Sequence, residues 1–423
     1  MYWNNVFKNV ICAVLVSTCL VACGGGSGSA PVNPMSTTPS SSSTGATPDT
    51  GVALAPNVLS ITVDKGPAGN NVNRLYTDVT ICQAGNTAVC QTIDHVLVDT
   101  GSIGLRLLSS VVSPSLNLPN VSAAGGLPLL GCARFLDNTF AWGPVVNADI
   151  TLGSKTAAGV SVQIVADPAF NGLARTCSSS TPIDTVATLG AKGIIGLGLF
   201  KEDCGATCAN VAANGIYFTC TTAACTAAVG TRTTTAKQLR NPIPLFASDN
   251  NGLVIDLPAV GSTGAVSISG SLIFGIGTQA NNQVTSSQVL TTGSTGYFST
   301  LLAGQTLSTS FIDTGSNGLY FDSSTLPTCS GRVSASFYCP TSLVTLTATQ
   351  VGTNGVNKPV VFSVDNAAAT LADGSKTVVP NLAGTIGNAR TFDWGLPFFY
   401  GRRVFSGIEG QPSAVGMGPF YAF

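Results

Sequence analysis

An eight-residue string occurs twice in this chain, as Val98-Asp99-Thr100-Gly101-Ser102-Ile103-Gly104-Leu105 and as Ile312-Asp313-Thr314-Gly315-Ser316-Asn317-Gly318-Leu319. Six of the eight positions are identical. Each copy follows an apolar, strand-like run: His95-Val96-Leu97-Val98 in the first, Phe311-Ile312 in the second. A strand ending in Asp-Thr-Gly-Ser delivers a carboxylate to a tight turn, where glycine lets the backbone bend sharply. One such turn is ordinary punctuation. Two on one chain imply two related halves, each supplying one aspartate, Asp99 and Asp313, to a shared site. That is what an acid/base pair of carboxylates requires.

The length of 423 residues suffices for two substantial lobes. Charged residues are only 9% of the chain and the net charge is −1, so there is no electrostatic case for nucleic acid or an anionic membrane surface. Abundant Gly, Ser and Thr, with short Val/Ile/Leu runs between turn signals, read as all-β. After residue 23 no stretch has the ~20 continuous apolar residues of a spanning helix. His95 is the single histidine, and no G-x-S-x-G elbow is present, so Ser-His-Asp and Cys-His chemistry have little to work with. Lying four residues before Asp99, His95 reads as structural. Any chemistry must run on carboxylates, with no cofactor and no metal.

The amino terminus reads as an address. Lys8 precedes a thirteen-residue apolar run, Val10 to Ala22, which suits a signal-peptide core and is short for a membrane span. Leu20-Val21-Ala22-Cys23 followed by Gly24 resembles a bacterial lipobox. The resemblance implies a signal peptide over residues 1–22, lipidation at Cys23, and export to the outer membrane, since Gly24 rather than Asp follows the cysteine. An ordinary cleaved signal with an incidental cysteine is the other reading. Residues 23–55 are Gly/Ser/Thr/Pro-rich and read as a flexible tether.

Of the 13 cysteines, ten lie beyond the signal and Cys23, an even number that suits disulfides in an exported chain. Sequence neighbours suggest Cys82–Cys90, Cys132–Cys177, Cys204–Cys208, Cys220–Cys225 and Cys329–Cys339. The pairing within 204–225 is the least constrained, and those four cysteines could alternatively be read as zinc ligands.

Several separate segments together resemble the pepsin-like aspartic protease superfamily. Beyond the two Asp-Thr-Gly-Ser turns, Gly193-Ile194-Ile195-Gly196-Leu197-Gly198 and Asp393-Trp394-Gly395-Leu396-Pro397 look like that family's apolar-apolar-Gly partners, one per lobe. Gly270-Ser271-Leu272-Ile273-Phe274-Gly275, Gly296-Tyr297-Phe298 and Val415-Gly416-Met417-Gly418-Pro419 are similar to further family elements. The resemblance covers about Ile61 to Phe423. It implies a bilobal, double-psi barrel architecture with few short helices, an N-terminal lobe over 56–248 and a C-terminal lobe over 249–423.

It also implies roles. Asp99 and Asp313 would share a proton and a water. Thr100 and Thr314 would cross to the opposite loop, Ser102 and Ser316 would bond the outer carboxylate oxygens, and Gly101 and Gly315 would let backbone amides approach. The family's flap tyrosine has no counterpart; Trp142 is either its replacement or a packed hairpin residue. Lys201 to Gly230 looks like an insertion. The implied activity is an endopeptidase that binds an extended polypeptide, lipid-anchored in the cell envelope and facing the periplasm or the surface. Alternatives are an envelope lipoprotein of the same fold that binds a peptide or protein without cutting it, and a disulfide-stapled surface protein. A monomer is expected, because one chain carries both halves of the site.

Overall fold

The short apolar runs become strands whose alternate residues face the interior. The structure, a computed structural model, describes residues 54–178, 181–284, 289–330, 333 and 335–423. The signal, Cys23 and nearly all of the tether lie outside them. Among the described residues the protein is predominantly β, and its α-helices are short: Val186–Leu189, Ala206–Asn210 and Ala367–Thr370. The all-β reading of the composition holds. None of the described helices is long and apolar enough to cross a membrane.

One four-strand unit is built twice. In the first copy Asn86–Asp99 runs into the turn and Ile103–Leu108 leaves it. The strand Gly193–Leu197 lies between them, parallel to the incoming strand (Val98 opposite Ile195) and antiparallel to the outgoing one (Ile103 opposite Leu197). Lys155–Val165 flanks the outgoing strand in parallel, with Arg106 opposite Gln163. In the second copy Gln305–Ile312, Leu319–Phe321, Phe392–Trp394 and Ala383–Gly384 repeat these places and senses. Each turn is thus clamped by strands distant in sequence, so its shape is set by tertiary pairing.

The two halves share a sheet. Val58–Val63 pairs antiparallel with Ile268–Phe274, from Val58 opposite Ile273 to Val63 opposite Ile268. The sheet continues from Ile268–Phe274 through Gly252–Asp256 to Arg403–Gly407 and Phe420–Ala422. Ala55–Phe423 packs as one unit as a result. The first half is filled mainly by aliphatic strand residues such as Val79, Val98, Leu105, Ile150 and Ile195. The second has an aromatic centre: Phe392 stacks on Trp394 at 3.9 Å and on Phe321 at 4.8 Å between ring centroids. Each large apolar side chain fully buried in this way contributes about 1.5–3 kcal/mol.

All five disulfides pair as the neighbour reading has them: Cys82–Cys90, Cys132–Cys177, Cys204–Cys208, Cys220–Cys225 and Cys329–Cys339. With their sulfurs joined, the four cysteines of 204–225 are not thiolate ligands, and the zinc reading falls. The segment Lys201 to Gly230 has a place in the sheet: Tyr217–Cys220 pairs with Leu129–Arg134, Tyr217 opposite Gly131, and Ala228–Gly230 pairs outside it.

Candidate active site

Asp99 and Asp313 end their strands at equivalent points and meet. Each turn makes the same bonds to its own aspartate. Gly101 N donates to Asp99 Oδ1 at 2.8 Å and Ser102 Oγ to Asp99 Oδ2 at 2.5 Å. Gly315 N donates to Asp313 Oδ1 and Ser316 Oγ to Asp313 Oδ2, both at 2.7 Å. The glycines are needed because each faces the opposite acid: a Cβ on Gly101 would stand 2.8 Å from Asp313 Cγ, and one on Gly315 would stand 2.7 Å from Asp99 Oδ1. The downstream glycines are needed because the outgoing backbone of their own half passes too close for a side chain. A Cβ on Gly196 would lie 2.4 Å from Ile103 N, and one on Gly395 would lie 2.1 Å from Gly318 O.

The threonines lock the two turns together. Thr100 N donates to Thr314 Oγ1 at 3.1 Å and Thr314 N to Thr100 Oγ1 at 3.0 Å. Each hydroxyl in turn donates to a carbonyl of the opposite incoming strand, Thr314 to Val98 O at 2.7 Å and Thr100 to Ile312 O at 3.4 Å. These four bonds are buried and related by a near two-fold exchange of the halves. They fix the separation of the carboxyls far better than two loose loops would.

The electrostatics follow from that closeness. Asp99 and Asp313 are each only 7% exposed. Burial, the charge of Asp99 and a hydrogen-bonding contact between the two carboxyls push the Asp313 pKa up from about 3.8 to about 8, against the opposing pull of Ser316 and Gly315 N. Two adjacent carboxylates cannot both ionise cheaply, so the pair keeps at least one proton until pH rises to about 8. Such a pair can take a proton from one oxygen and give one to another in the same event.

Both turns open onto a cleft of about 580 Å³. Its opposite wall is the tip of the hairpin joining Leu129–Arg134 to Thr139–Leu152, where Phe135, Leu136 and Asp137 face the space. Trp142 lies further down that hairpin. Its indole N–H donates to Phe170 O at 2.9 Å and its ring packs edge-on against Phe218, so of the two readings it occupies the packed one and does not line the cleft. His95 is also outside the cleft: Nδ1 lies 2.7 Å from Asp94 and the ring packs edge-on against Tyr76.

The cleft contains groups that the motif reading passed over. Arg74, Tyr297 and Tyr320 line it, and Asp203 sits at its margin, paired with Arg106 at 3.5 Å and Tyr217 at 2.7 Å. Beneath the second turn lies Asp393, with no exposed surface. Its signal was in the sequence: an acid inside a string otherwise apolar, Phe392-Asp393-Trp394.

The arrangement defines a β protein with a paired-aspartate cleft. Residues 53–423 match the family described as Protein of unknown function (DUF3443), and the chain belongs to that family. No curated protein matches it.

Proposed function

We propose that this protein is an aspartic-type endopeptidase of pepsin-like, double-psi barrel architecture. The observation that carries the reading is the buried pair: two identical turns, cross-bonded by Thr100 and Thr314, holding Asp99 and Asp313 together with one proton between them. The repeated four-strand unit and the glycines at 196 and 395 also support it. A water bound by the pair would lose a proton to Asp99 as it attacks a peptide carbonyl carbon. Asp313, carrying the proton, would hydrogen-bond the carbonyl oxygen as charge develops there. The cleft between the turns and the hairpin tip suits an extended polypeptide. No cofactor enters this scheme.

The purified protein, given a denatured protein mixture between pH 3 and 7, is expected to cleave it. Asp99→Asn and Asp313→Asn should each lower the rate by at least about 10²-fold, and a statine-type inhibitor should block the wild type. Folded wild type that neither cuts nor binds the inhibitor would sink the reading. The proposal extends to place: lipidation at Cys23 would hold this body in the cell envelope on its tether. Labelled fatty acid should enter the wild type and not Cys23→Ala; equal labelling of both removes the anchor.

A further inference from the structure

Asp393 sits in the middle of Phe392–Trp394, fully buried, and neither carboxyl oxygen has a well-formed hydrogen bond among the described residues, although the Ser316 hydroxyl is close enough to act on it. Phe392 and Trp394 stack in the aromatic core, so strand alternation turns Asp393 to the other face. There it stands opposite Phe311 of the incoming strand and Tyr320 of the outgoing strand. The equivalent position in the first half is Ile194, opposite Leu97 and Arg106, in an apolar cluster with Leu97, Ile183 and Leu189. One half has an aliphatic side chain at this position and the other a carboxyl. A buried carboxyl without a partner is destabilising. Since its counterpart shows that isoleucine serves the architecture, the acid at 393 calls for a reason other than packing.

We propose that Asp393 is a positioning residue for the aspartate pair, a neutral third acid that donates to Ser316 Oγ and keeps the Ser316 hydroxyl on Asp313. This rests on the peptidase reading of the site. Ser316 is 2% exposed and donates to Asp313 Oδ2, which leaves its oxygen lone pairs to accept. Its side chain lies on the Asp393 side of the strand, since a Cβ on Gly395, two residues further on, would stand 3.0 Å from Ser316 Cβ. Burial, then the charge of Asp313, drives the Asp393 pKa well above the usual carboxyl range, with Ser316 opposing and Asp99 adding to the rise. The other titratable groups facing it are Tyr320 and Tyr421, both neutral at working pH. Asp393 therefore supplies a donor without a second charge. Its proton stays in place and no bond breaks. Ile194 offers Ser102 no such donor, so the two turns differ, and Asp313 holds its proton less tightly than burial beside Asp99 alone would dictate.

The test compares wild type with Asp393→Asn, which keeps a donor, and Asp393→Leu, which replaces both oxygens by methyl groups at similar volume. Losing a donor and no charge makes Asp313 hold its proton more tightly. The alkaline limb of the pH–rate profile should therefore rise by about one pH unit in the Leu variant, with kcat down roughly tenfold and KM little changed. The Asn variant should follow wild type. The same shift should appear in the pH dependence of thermal stability, which needs no turnover. Wild type that fails to cleave counts against the peptidase reading alone. An unshifted stability profile in the Leu variant, or one moved down as loss of a charge would do, overturns the role of Asp393. Asp393→Ala carries the same comparison if the Leu variant does not fold.

Discussion

At the level of single residues, Asp313 is the group whose protonation the fold changes most usefully. Burial and the neighbouring Asp99 charge hold its pKa at about 8, whereas an unfolded chain would release that proton near 4. Between those values the folded state binds a proton that the unfolded state lacks. Its contribution to stability is therefore fully present below about pH 4 and is lost as pH rises through about 8. Thermal melts from pH 4 to 9 should show this decline, and Asp313→Asn should flatten it. A wild-type melt that does not move over that range would contradict the buried, one-proton pair. The same titration predicts that cleavage fades as pH passes about 8, because the acid of the pair is then lost.

At the scale of elements, the hairpin wall of the cleft must be held in place against the aspartate turns from which it is separate in sequence. It receives support from two sides. Cys132 ties the first hairpin strand to Cys177, closing 45 residues, and Tyr217–Cys220 extends the same sheet outward. Tyr217 then accepts from Leu239 N at 2.6 Å and donates to Asp203 at 2.7 Å, anchoring the added strand to the cleft margin. Replacing Cys132 and Cys177 together by serine should cost about 2–5 kcal/mol in urea unfolding. It should also raise KM more than it lowers kcat, because the wall loosens while the aspartate turns stay intact. Equal loss in kcat would place the hairpin in the chemistry instead.

For the whole molecule, the question is how two halves are kept in one register so that two acids meet. The shared sheet does part of this. Asn73 does another part: with φ at +52° it donates to Asn317 O and Val379 O, both at 2.8 Å, and accepts from Val379 N at 2.7 Å and Tyr400 Oη at 2.8 Å. One buried side chain thus spans the halves, and Asn317 directly follows the Asp313 turn. Asn73→Ala would leave those groups unpaired and put a Cβ-bearing residue with no side-chain bond in a left-handed conformation. A loss of roughly 3 kcal/mol is expected, read from the urea midpoint. Peptidase activity per folded molecule should fall too, because the same bond positions the second turn.

Much of this was readable from residue order, and it is the local part. The paired Asp-Thr-Gly-Ser strings marked both turns, and the β texture came from short apolar runs between turn residues. The disulfides joined cysteines that are close in sequence or next in order, including the 204–225 pairs. In each case the cause lies within a few residues: a glycine that bends, a strand period, a short loop to close. Residue order left Trp142 undecided between wall and core, read Lys201 to Gly230 as a bare insertion, and passed over Asp393 and Asn73. Those outcomes depend on which distant strand arrives alongside. Only the folded chain places Tyr217 beside Gly131, Ile194 and Asp393 in matching registers, and Phe170 O within reach of the Trp142 indole. A side chain's burial and partners are properties of that assembled neighbourhood, and no local pattern encodes them.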